Sequence, residues 1–365
     1  MKSYKRRKIM SEQTKRRAQH HNHHHNGRKK RHTVLYTFLI IILVLIVGGG
    51  AYAYKMYHDV QNTANKVYKK ESGTNHQRSP QTTLDAKKPI SILLLGTDTG
   101  ALGRTYHGRS DTMIVATVNP QNKQLTMVSI PRDTKAHIVG KGANYIEKIN
   151  SAYSYGGSAM AINTTQELLN IPIDYYVTVN MGGIQRIVNA VGGVTIDAPF
   201  AFKYDGNSFK KGSQHLNGKQ ALAYSRMRYD DPEGDYGRQK RQRQVIESIV
   251  KSAVSVKTLW NFDDILQSMS DNVQTDLTFK NMQTIQKNYK SAATNMVDDH
   301  LQGQNATIDG GSYQVATTKE LNRISSLIRT QLNLPKEKVN NLETQQNSQG
   351  QATDAGSNNA DPYTN

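Results

Sequence analysis

Length, composition and charge limit the classes of protein to which this chain can belong. Its 365 residues can hold one large domain with tails or two small domains, and the absence of cysteine excludes disulfides, thiol nucleophiles and cysteine-based metal sites. The formal net charge of +18 is typical of a nucleic-acid-binding protein, but residues 1–32 carry +11 of it, so the rest of the chain is only mildly basic.

An uncharged segment at residues 33–54, "TVLYTFLIIILVLIVGGGAYAY", follows the basic residues directly. As a helix it would span about 33 Å, which is enough to cross a bilayer once. Because Lys and Arg stay on the cytoplasmic side, we expect residues 1–32 to be a cytoplasmic tail and everything after the span to lie outside the cell membrane. Cleavage of a signal peptide after residue 53 is the competing interpretation. The predicted topology also argues against nucleic acid as a partner.

The remainder of the chain predicts a folded middle between two polar segments. Residues 55–88 predict an extracytoplasmic stalk, and residues 336–365, which are rich in Asn, Gln, Ser and Gly, predict a disordered tail. The apolar patterns predict strands at 90–96, 112–119, 125–131 and 175–180, of which the second and third form a hairpin, and helices at 158–170, 182–191, 216–224 and from Tyr236 past Ile249.

This alternation of strands and helices predicts a layered α/β/α domain over residues 89–255, with a central mixed sheet flanked by helices. Residues 256–335 predict a helical C-terminal extension packed on that domain, with one hairpin in "ATIDGGSYQVAT". Open α/β sheets usually place their sites at strand ends and in loops, so polar clusters at those positions are the candidates for chemistry.

Two carboxylates stand at predicted strand ends. Asp98 follows the first strand in "GTD", and Asp111 opens the next strand in "GRSD". Mg²⁺ takes oxygen ligands and typically uses one or two protein carboxylates, with phosphate oxygens and water as its other ligands. We therefore expect both residues to hold Mg²⁺, or Mn²⁺ in its place, although each could instead cap a turn.

Several arginines are spaced so that they can converge on one anion. Arg226 and Arg228 are two residues apart, so in an extended segment their side chains point to the same face. Arg238 and Gln242 are four apart on a predicted helix and also share a face, and Arg132 ends the third strand in "PRD". Guanidinium groups beside a metal match a phosphate or pyrophosphate.

The alternative is an Arg-rich surface whose charge is balanced by the acidic insert "DDPEGD" at residues 230–235. Lys240, Arg241 and Arg243 lie at other angles of the same predicted helix, and for them a solvated surface is the expected position. No GxSxG motif and no GxxxxGK[ST] loop is present in the sequence, which argues against a serine hydrolase and a P-loop NTPase.

In order and spacing, seven segments of the sequence resemble the signatures of the LytR-CpsA-Psr family of Gram-positive cell-envelope proteins. The basic tail and single predicted span are also typical of that family. The resemblance covers residues 89–255 and rests on "LLLGTD", "GRSDTMIVATVNP", "SIPRD", "KINSAYSYGG", "VNAVGGVTIDAP", "LNGKQALAYSRMR" and "GDYGRQKRQRQVI".

The resemblance implies a Mg²⁺-dependent phosphotransferase on the outer side of the cell membrane. Such an enzyme moves an anionic glycopolymer, a teichoic acid or capsular polysaccharide, from a polyprenyl-pyrophosphate carrier onto peptidoglycan through a phosphodiester link. By motif position, Asp98 and Asp111 would serve the metal and one of them would accept the proton of the attacking hydroxyl. The remaining site residues implied by the motifs, which bind the pyrophosphate or line its site, are Arg109, Arg132, Lys148, Arg226, Arg228, Asp235, Arg238 and Gln242.

Two other functions stay open at this point. The same site could hydrolyse the polyprenyl pyrophosphate with water as the acceptor. The chain could also be an envelope regulator or transcriptional attenuator, which would require the tail at 1–32 to bind DNA. That tail has no helix-turn-helix pattern, and attraction to the membrane surface explains its charge.

Overall fold

The computed structural model describes residues 54–55, 57–59, 61–98, 108–253 and 272–347. The chain divides into two units, Met1–His58 and Asp59–Asn365. In the first unit only residues 54–55 and 57–58 are described, and they are helical. The predicted tail at 1–32 and all but the last residue of the predicted span lie outside the described residues. None of the helices in the described ranges is both long and apolar enough to cross a bilayer.

The second unit contains strands and helices in alternation. The strands are β1 (Ile90–Thr97), β2 (Ser110–Asn119), β3 (Gln124–Ser129), β4 (Lys135–His137), β5 (Ile146–Lys148), β6 (Tyr175–Asn180), β7 (Val194–Ala198), β8 (Phe202–Tyr204), β9 (Asn207–Phe209), β10 (Gly212–Leu216), β11 (Val273–Thr275), β12 (Met296–His300), β13 (Gln304–Ile308) and β14 (Gly311–Val315). The α-helices are α1 (Pro80–Asp85), α2 (Ser151–Leu169), α3 (Met181–Ala190), α4 (Gly218–Arg226), α5 (Asp235–Ala253), α6 (Phe279–Tyr289) and α7 (Thr318–Gln331), and a 3₁₀ helix spans Lys290–Thr294.

The central sheet has six strands in the order β11-β6-β1-β2-β3-β12. β2 is antiparallel to both β1 and β3, whereas β6 is parallel to β1 and β12 is parallel to β3. The sheet is therefore mixed, as the sequence predicted, and the predicted β2–β3 hairpin is confirmed. The predicted strand at 175–180 and the helices beginning near 182 and 236 are also confirmed to within a residue.

Apolar side chains cover both faces of this sheet. Leu93 and Leu95 of β1 lie in a buried cluster with side chains of α2 and α7, such as Ile162 and Ile324. The neighbouring residue Leu94 packs into a separate cluster that includes the Ile246 and Val250 side chains of α5. Because alternate residues of a strand face opposite sides, this division places helices on both faces and confirms the layered α/β/α prediction.

A second, smaller core lies under the segment that leads to α5. It joins Val188 of α3, Ile196 of β7 and Tyr224 of α4 to Val245 of α5. β7 and β10 form one antiparallel pair over this core, and β8 and β9 form another. The packing fixes the end of α4 against the start of α5, and both ends carry predicted site residues.

The C-terminal segment departs from the prediction of a helical extension. β11 pairs with β6 and β12 pairs with β3, so this segment supplies both edge strands of the central sheet. The predicted hairpin is present as β13 and β14, and the segment does contain α6 and α7. The sequence pattern did not predict the edge strands, because they are only three and five residues long and pair with residues that are distant in the chain.

The polar segment at 59–88 is part of the folded unit and not a free stalk. Ala64 and Val67 of a helix at 61–67 are buried, and Tyr68 forms a parallel bridge with Thr275 of β11. Arg78 donates a hydrogen bond through Nε to the buried Asp174, 2.7 Å away. These contacts were not predictable from composition, because a polar segment can still dock through a few apolar and charged side chains.

Residues 336–347 are likewise ordered, against the prediction of a disordered tail that begins at 336. Val339 is buried, and Asn341 donates through Nδ2 to the carbonyl of Leu168 at 3.1 Å. That carbonyl is among the last of α2, which have no partner within the helix. The polar composition misled the prediction because amide side chains here cap a helix, and residues 348–365 lie outside the described range.

Candidate active site

Three strand ends lie side by side along one edge of the sheet, the edge formed by the ends of the strands. They are the carboxyl end of β1, the amino end of β2 and the carboxyl end of β3, because β2 runs antiparallel to both neighbours. In the β1–β2 ladder, Gly96 pairs with Thr112 and Thr97 with Ser110, so that Asp111 is an extra, bulged residue. Bulges re-aim side chains and are frequent beside active sites. Asp98 directly follows the end of β1, at the same edge.

A row of alternating charges continues from Asp111 along this edge. Arg132 donates through Nη1 to Asp111 Oδ1 at 2.7 Å, and its Nε lies 3.7 Å from Asp133 Oδ2. Lys148 of β5 lies with Nζ 3.3 Å from the other oxygen of Asp133. Asp133 is part of the "PRD" motif, but the sequence predicted no role for it. In the structure it connects two of the predicted anion-binding cations.

The second half of the site is the junction of α4 and α5. Arg226 is the last residue of α4, and Met227 is extended and buried, so Arg226 and Arg228 flank a side chain that points inward. Asp235 begins α5 and forms ion pairs through Oδ1 with Arg238 Nη2 at 2.6 Å and with Arg228 Nε at 3.7 Å. Asp235 thus stands between two arginines, and its negative charge orients their guanidinium groups.

The two halves of the site lie close together, because charged side chains of each half change the pKa of an arginine in the other. Burial lowers the pKa of Arg132, but the Asp111 hydrogen bond and the charges of Asp111, Asp133 and Asp235 outweigh it and raise the pKa overall. For Arg238, burial and the neighbouring Arg132 and Arg228 together lower the pKa, against the opposing charge of Asp235. The guanidinium groups of Arg132, Arg228 and Arg238 therefore lie close enough for their charges to act on one another.

Two of these guanidinium groups have a donor without a hydrogen-bond partner among the described residues. The Nε atoms of Arg132 and Arg238 are buried and make no hydrogen bond with any described residue. A buried donor that is left unsatisfied costs about 1–3 kcal/mol. Both donors lie on the crowded cations, so an anion with several oxygens, such as a phosphate or pyrophosphate, would satisfy them.

The other predicted residues lie around this centre. Arg109 is half-exposed and lies 4.0 Å from Glu147 through its Nη2 atom. Arg226 and Gln242 are partly buried, and the side chain of neither forms an ion pair or hydrogen bond within the described ranges. The structure therefore brings Asp111, Arg132, Arg228, Asp235 and Arg238 together, with Lys148 joined through Asp133.

Arg241 corrects the expectation of a solvated surface. It is almost wholly buried, pairs with the buried Asp231 and donates through Nε to the carbonyl of Tyr224 at 3.1 Å. It also donates to the carbonyl of Met227. A Cβ at Gly237 would fall against the Asp231 carboxylate, so this position requires glycine.

Arg243 is buried as well, whereas Lys240 is exposed as expected. Arg243 donates to Ser129 Oγ of β3 at 2.6 Å and lies 3.2 Å from Asp298 of β12. A sequence signal for Arg241 did exist, since it lies four residues before the buried Val245 and so on the core-facing side of the helix. Nothing local in the sequence points to Asp298 as a partner.

The carboxylates of the site limit the kind of metal ion that it can hold. Among the residues that the structure describes, no group of three or more His, Asp or Glu side chains could hold a metal ion. Asp98 and Asp111 at adjacent strand ends supply two carboxylates at most, and one oxygen of Asp111 already binds Arg132. This set fits Mg²⁺ that takes its other ligands from substrate phosphate and water, and does not fit a closed protein cage.

Comparisons with known proteins agree with this fold. A family model described as the LytR_cpsA_psr family matches residues 54–330. The polyisoprenyl-teichoic acid–peptidoglycan teichoic acid transferase TagU of Enterococcus faecalis is 47% identical over 279 residues, which cover 76% of this chain and 90% of the relative.

Two solved structures share the fold. The crystal structure of TagU from Bacillus subtilis is 41% identical with a TM-score of 0.55, and the match covers 67% of this chain and 97% of that one. A crystal structure from Enterococcus faecalis, described as a transcriptional regulator, is 40% identical with a TM-score of 0.64, covering 75% of this chain and 96% of that one.

These findings confirm the resemblance and extend it on both sides of residues 89–255. The Enterococcus relative is a named transferase, and this confirms the prediction of an enzyme at the level of the transferase class. The seven sequence motifs, the mixed sheet and the family model agree, and the chain belongs to the LytR_cpsA_psr family.

Proposed function

We propose that this protein is a phosphotransferase that moves an anionic glycopolymer from a polyprenyl-pyrophosphate carrier onto peptidoglycan through a phosphodiester link. The observation that carries the proposal is the convergence of Arg132, Arg228 and Arg238, two of which have buried Nε donors that hydrogen-bond to no residue in the described ranges. The name of the Enterococcus relative favours teichoic acid over capsular polysaccharide as the polymer and supplies peptidoglycan as the acceptor.

The reaction exchanges one bond to phosphorus for another. The hydroxyl oxygen of the acceptor attacks the phosphorus that carries the polymer, and the bond from that phosphorus to the bridging oxygen of the pyrophosphate breaks. Polyprenyl phosphate leaves with the bridging oxygen and its electron pair. Such a transfer depends on positioning and on neutralising charge more than on covalent help from the protein.

The arginines supply the neutralising charge. Arg132, whose pKa is raised, and Arg238 would donate their unpartnered Nε groups to pyrophosphate oxygens, while Arg228 approaches from the α4–α5 junction. Asp235 would hold Arg228 and Arg238 in place and would not itself contact the anion, because an ionised carboxylate repels it.

Asp111 is suited to receive the proton of the acceptor hydroxyl. Its side chain is about one-third exposed, and only its Oδ1 atom is engaged, by Arg132, among the described contacts. Asp98 at the adjacent strand end is the other candidate for this role. The two carboxylates would also hold Mg²⁺, or Mn²⁺, which when bound would neutralise further charge on the phosphate oxygens.

The proposed location is the outer face of the cell membrane, with the chain anchored by a single span and its N-terminus in the cytoplasm. The basic residues 1–32 followed by the uncharged residues 33–54 support this orientation. A membrane anchor would also keep the enzyme beside a donor whose lipid tail cannot leave the bilayer.

The test is transfer of polyprenyl-pyrophosphate-linked teichoic acid to peptidoglycan oligomers by the purified full-length protein. We expect Arg228→Ala and Arg238→Ala each to lower the rate by about 100-fold, as for removal of one oxyanion-stabilising group. Lys240→Ala is the matched control, because it removes an exposed cation from α5, the helix that also carries Arg238. Full transfer by both arginine variants would contradict the proposal, and release of free polymer phosphate in place of the coupled product would identify a hydrolase.

A further inference from the structure

A group of exposed and partly buried tyrosines and lysines, which we call the tyrosine patch, borders the site. It consists of Tyr145, Tyr155, Tyr313, Lys141 and Lys148. Tyr145 and Tyr155 are 38% and 42% exposed, and their rings meet edge to face with centroids 6.1 Å apart. Their hydroxyl groups are 3.1 Å apart and hydrogen-bonded. Two large aromatic rings are therefore held rigidly against one another on the surface.

The lysines lie over these rings. Lys141 Nζ is 4.3 Å from the ring centroid of Tyr155 and 5.9 Å from that of Tyr145. Lys148 Nζ is 5.5 Å from the centroid of the Tyr313 ring. Each is within the range of a cation–π interaction, so the patch combines aromatic surface with positive charge.

The patch is one cluster although its residues come from the β4–β5 connection and from three regular elements, β5, α2 and β14. Tyr145 and Lys141 lie between β4 and β5, Tyr155 in the first turns of α2, and Tyr313 in β14. The charges of Arg109 and Glu147 act on the pKa of both Tyr155 and Tyr313, which places those two side chains beside the patch as well.

The backbone of α2 keeps Tyr155 on the surface. Gly156 and Gly157 directly after it have non-helical dihedral angles, so the helix is kinked there. Gly157 has a φ of 61°, and a Cβ at Gly156 would lie 2.8 Å from the Cβ of Met160. The kink thus lies at two glycines, directly after the exposed Tyr155.

The patch is continuous with the site through Lys148. Lys148 Nζ lies 3.3 Å from Asp133, and Asp133 lies 3.7 Å from Arg132 Nε, which is one of the two unpartnered donors. A substrate whose pyrophosphate binds at Arg132 can therefore extend over Lys148 onto the tyrosines without leaving the protein surface.

We propose that the tyrosine patch binds sugar–phosphate units of the donor glycopolymer that follow the pyrophosphate. This inference rests on the proposed function. Sugar rings present C–H faces that pack on exposed aromatic rings, and phosphodiester oxygens pair with lysines. The glycan of peptidoglycan could use the rings but would leave Lys141 and Lys148 without a phosphate partner, so charge complementarity favours the donor polymer.

The experiment compares two donors with the full-length enzyme. One carries a long teichoic acid on its polyprenyl pyrophosphate, and the other carries only a single disaccharide. We expect the double variant Tyr145→Ser, Tyr155→Ser to raise KM for the long donor by about tenfold, as for the loss of two aromatic contacts, with kcat and all constants for the short donor unchanged. The double variant Tyr145→Phe, Tyr155→Phe keeps both rings and should retain most of the affinity.

Each other outcome overturns the inference. Equal KM values for the long donor in the wild type and the Ser variant would show that the polymer does not contact the patch. A change in KM for the peptidoglycan oligomer alone would assign the patch to the acceptor. Transfer of the short donor by the wild type tests the proposed function by itself, because this transfer does not depend on whether the patch binds polymer.

Discussion

Arg241 lies beneath the loop that carries Arg228, and it stabilises the site without facing it. Its guanidinium group joins Asp231 in that loop, the carbonyl of Tyr224 in α4 and the carbonyl of Met227. The rings of Phe202 and Tyr224 lie within 6 Å of the cation. A single buried side chain therefore fixes the approach of α4 and of the acidic insert to α5.

Removing this side chain should destabilise the fold. In Arg241→Met the carboxylate of Asp231 stays buried without a counter-charge, and we expect the free energy of unfolding in urea to fall by about 3–5 kcal/mol. The double variant Arg241→Met, Asp231→Leu removes both charges and should recover much of the loss. Lys240→Met, an exposed neighbour, should change stability by less than about 0.5 kcal/mol. A loss of that small size for Arg241→Met would show that the buried pair is not structural.

At the scale of elements, the edge strand β11 is joined to the sheet by side chains as well as by its short ladder. Asp276, directly after β11, accepts a hydrogen bond from the backbone N–H of Tyr176 in β6 at 2.9 Å. The Tyr176 hydroxyl donates to the carbonyl of Lys69, and the Lys69 N–H donates to the carbonyl of Thr275, both at 2.7 Å. β6, β11 and the segment before α1 are thus coupled at one buried polar junction.

This junction predicts a pH-dependent stability. Burial, with the nearby charges of Glu71 and Asp174, raises the pKa of Asp276 from 3.8 to about 7. Between those values the folded state binds more protons than the unfolded state, so the free energy of unfolding should fall as pH rises from 4 to 7 and level off above 7. The loss should be of the order of 3 kcal/mol.

Asp276→Asn should remove this component, because the amide oxygen can still accept from the Tyr176 N–H but does not ionise. The measurement is urea unfolding at several pH values between 4 and 8, with Asp309→Asn at an exposed turn as the matched control. A wild-type profile that rises or stays flat from pH 4 to 7, or an Asn variant with an unchanged profile, would contradict the role of Asp276.

For the molecule as a whole, the sequence predicted what local patterns encode. The long apolar runs of β1, β2 and β6 were correctly predicted as strands. The burial of Arg243 was not predictable, because its partner Asp298 lies on a strand that the sequence did not reveal. Side chains that are distant in the chain also bury the segment around Val67 and the C-terminal segment around Val339.

The site also depends on contacts between residues that are distant in the chain. Its first half, Asp111 and Arg132, comes from the sheet, and its second half, Arg228, Asp235 and Arg238, comes from a junction about a hundred residues later. Neither half is a complete anion site, and only the folded chain brings them together. An anion that contacts both halves should therefore bind the folded state alone and shift the unfolding equilibrium towards it.

Inorganic pyrophosphate is a simple probe of this coupling. At a concentration about 100 times its Kd it should add about 2.7 kcal/mol to the free energy of unfolding, which corresponds to a rise in Tm of roughly 4–5 °C for a domain of this size. Arg132→Ala and Arg238→Ala each remove one of the unpartnered donors, so each should lose most of the shift, whereas Lys240→Ala should keep it. An equal shift in all three variants, measured by thermal unfolding at constant ionic strength, would mean that the anion binds elsewhere and that the crowded arginines are balanced surface charges.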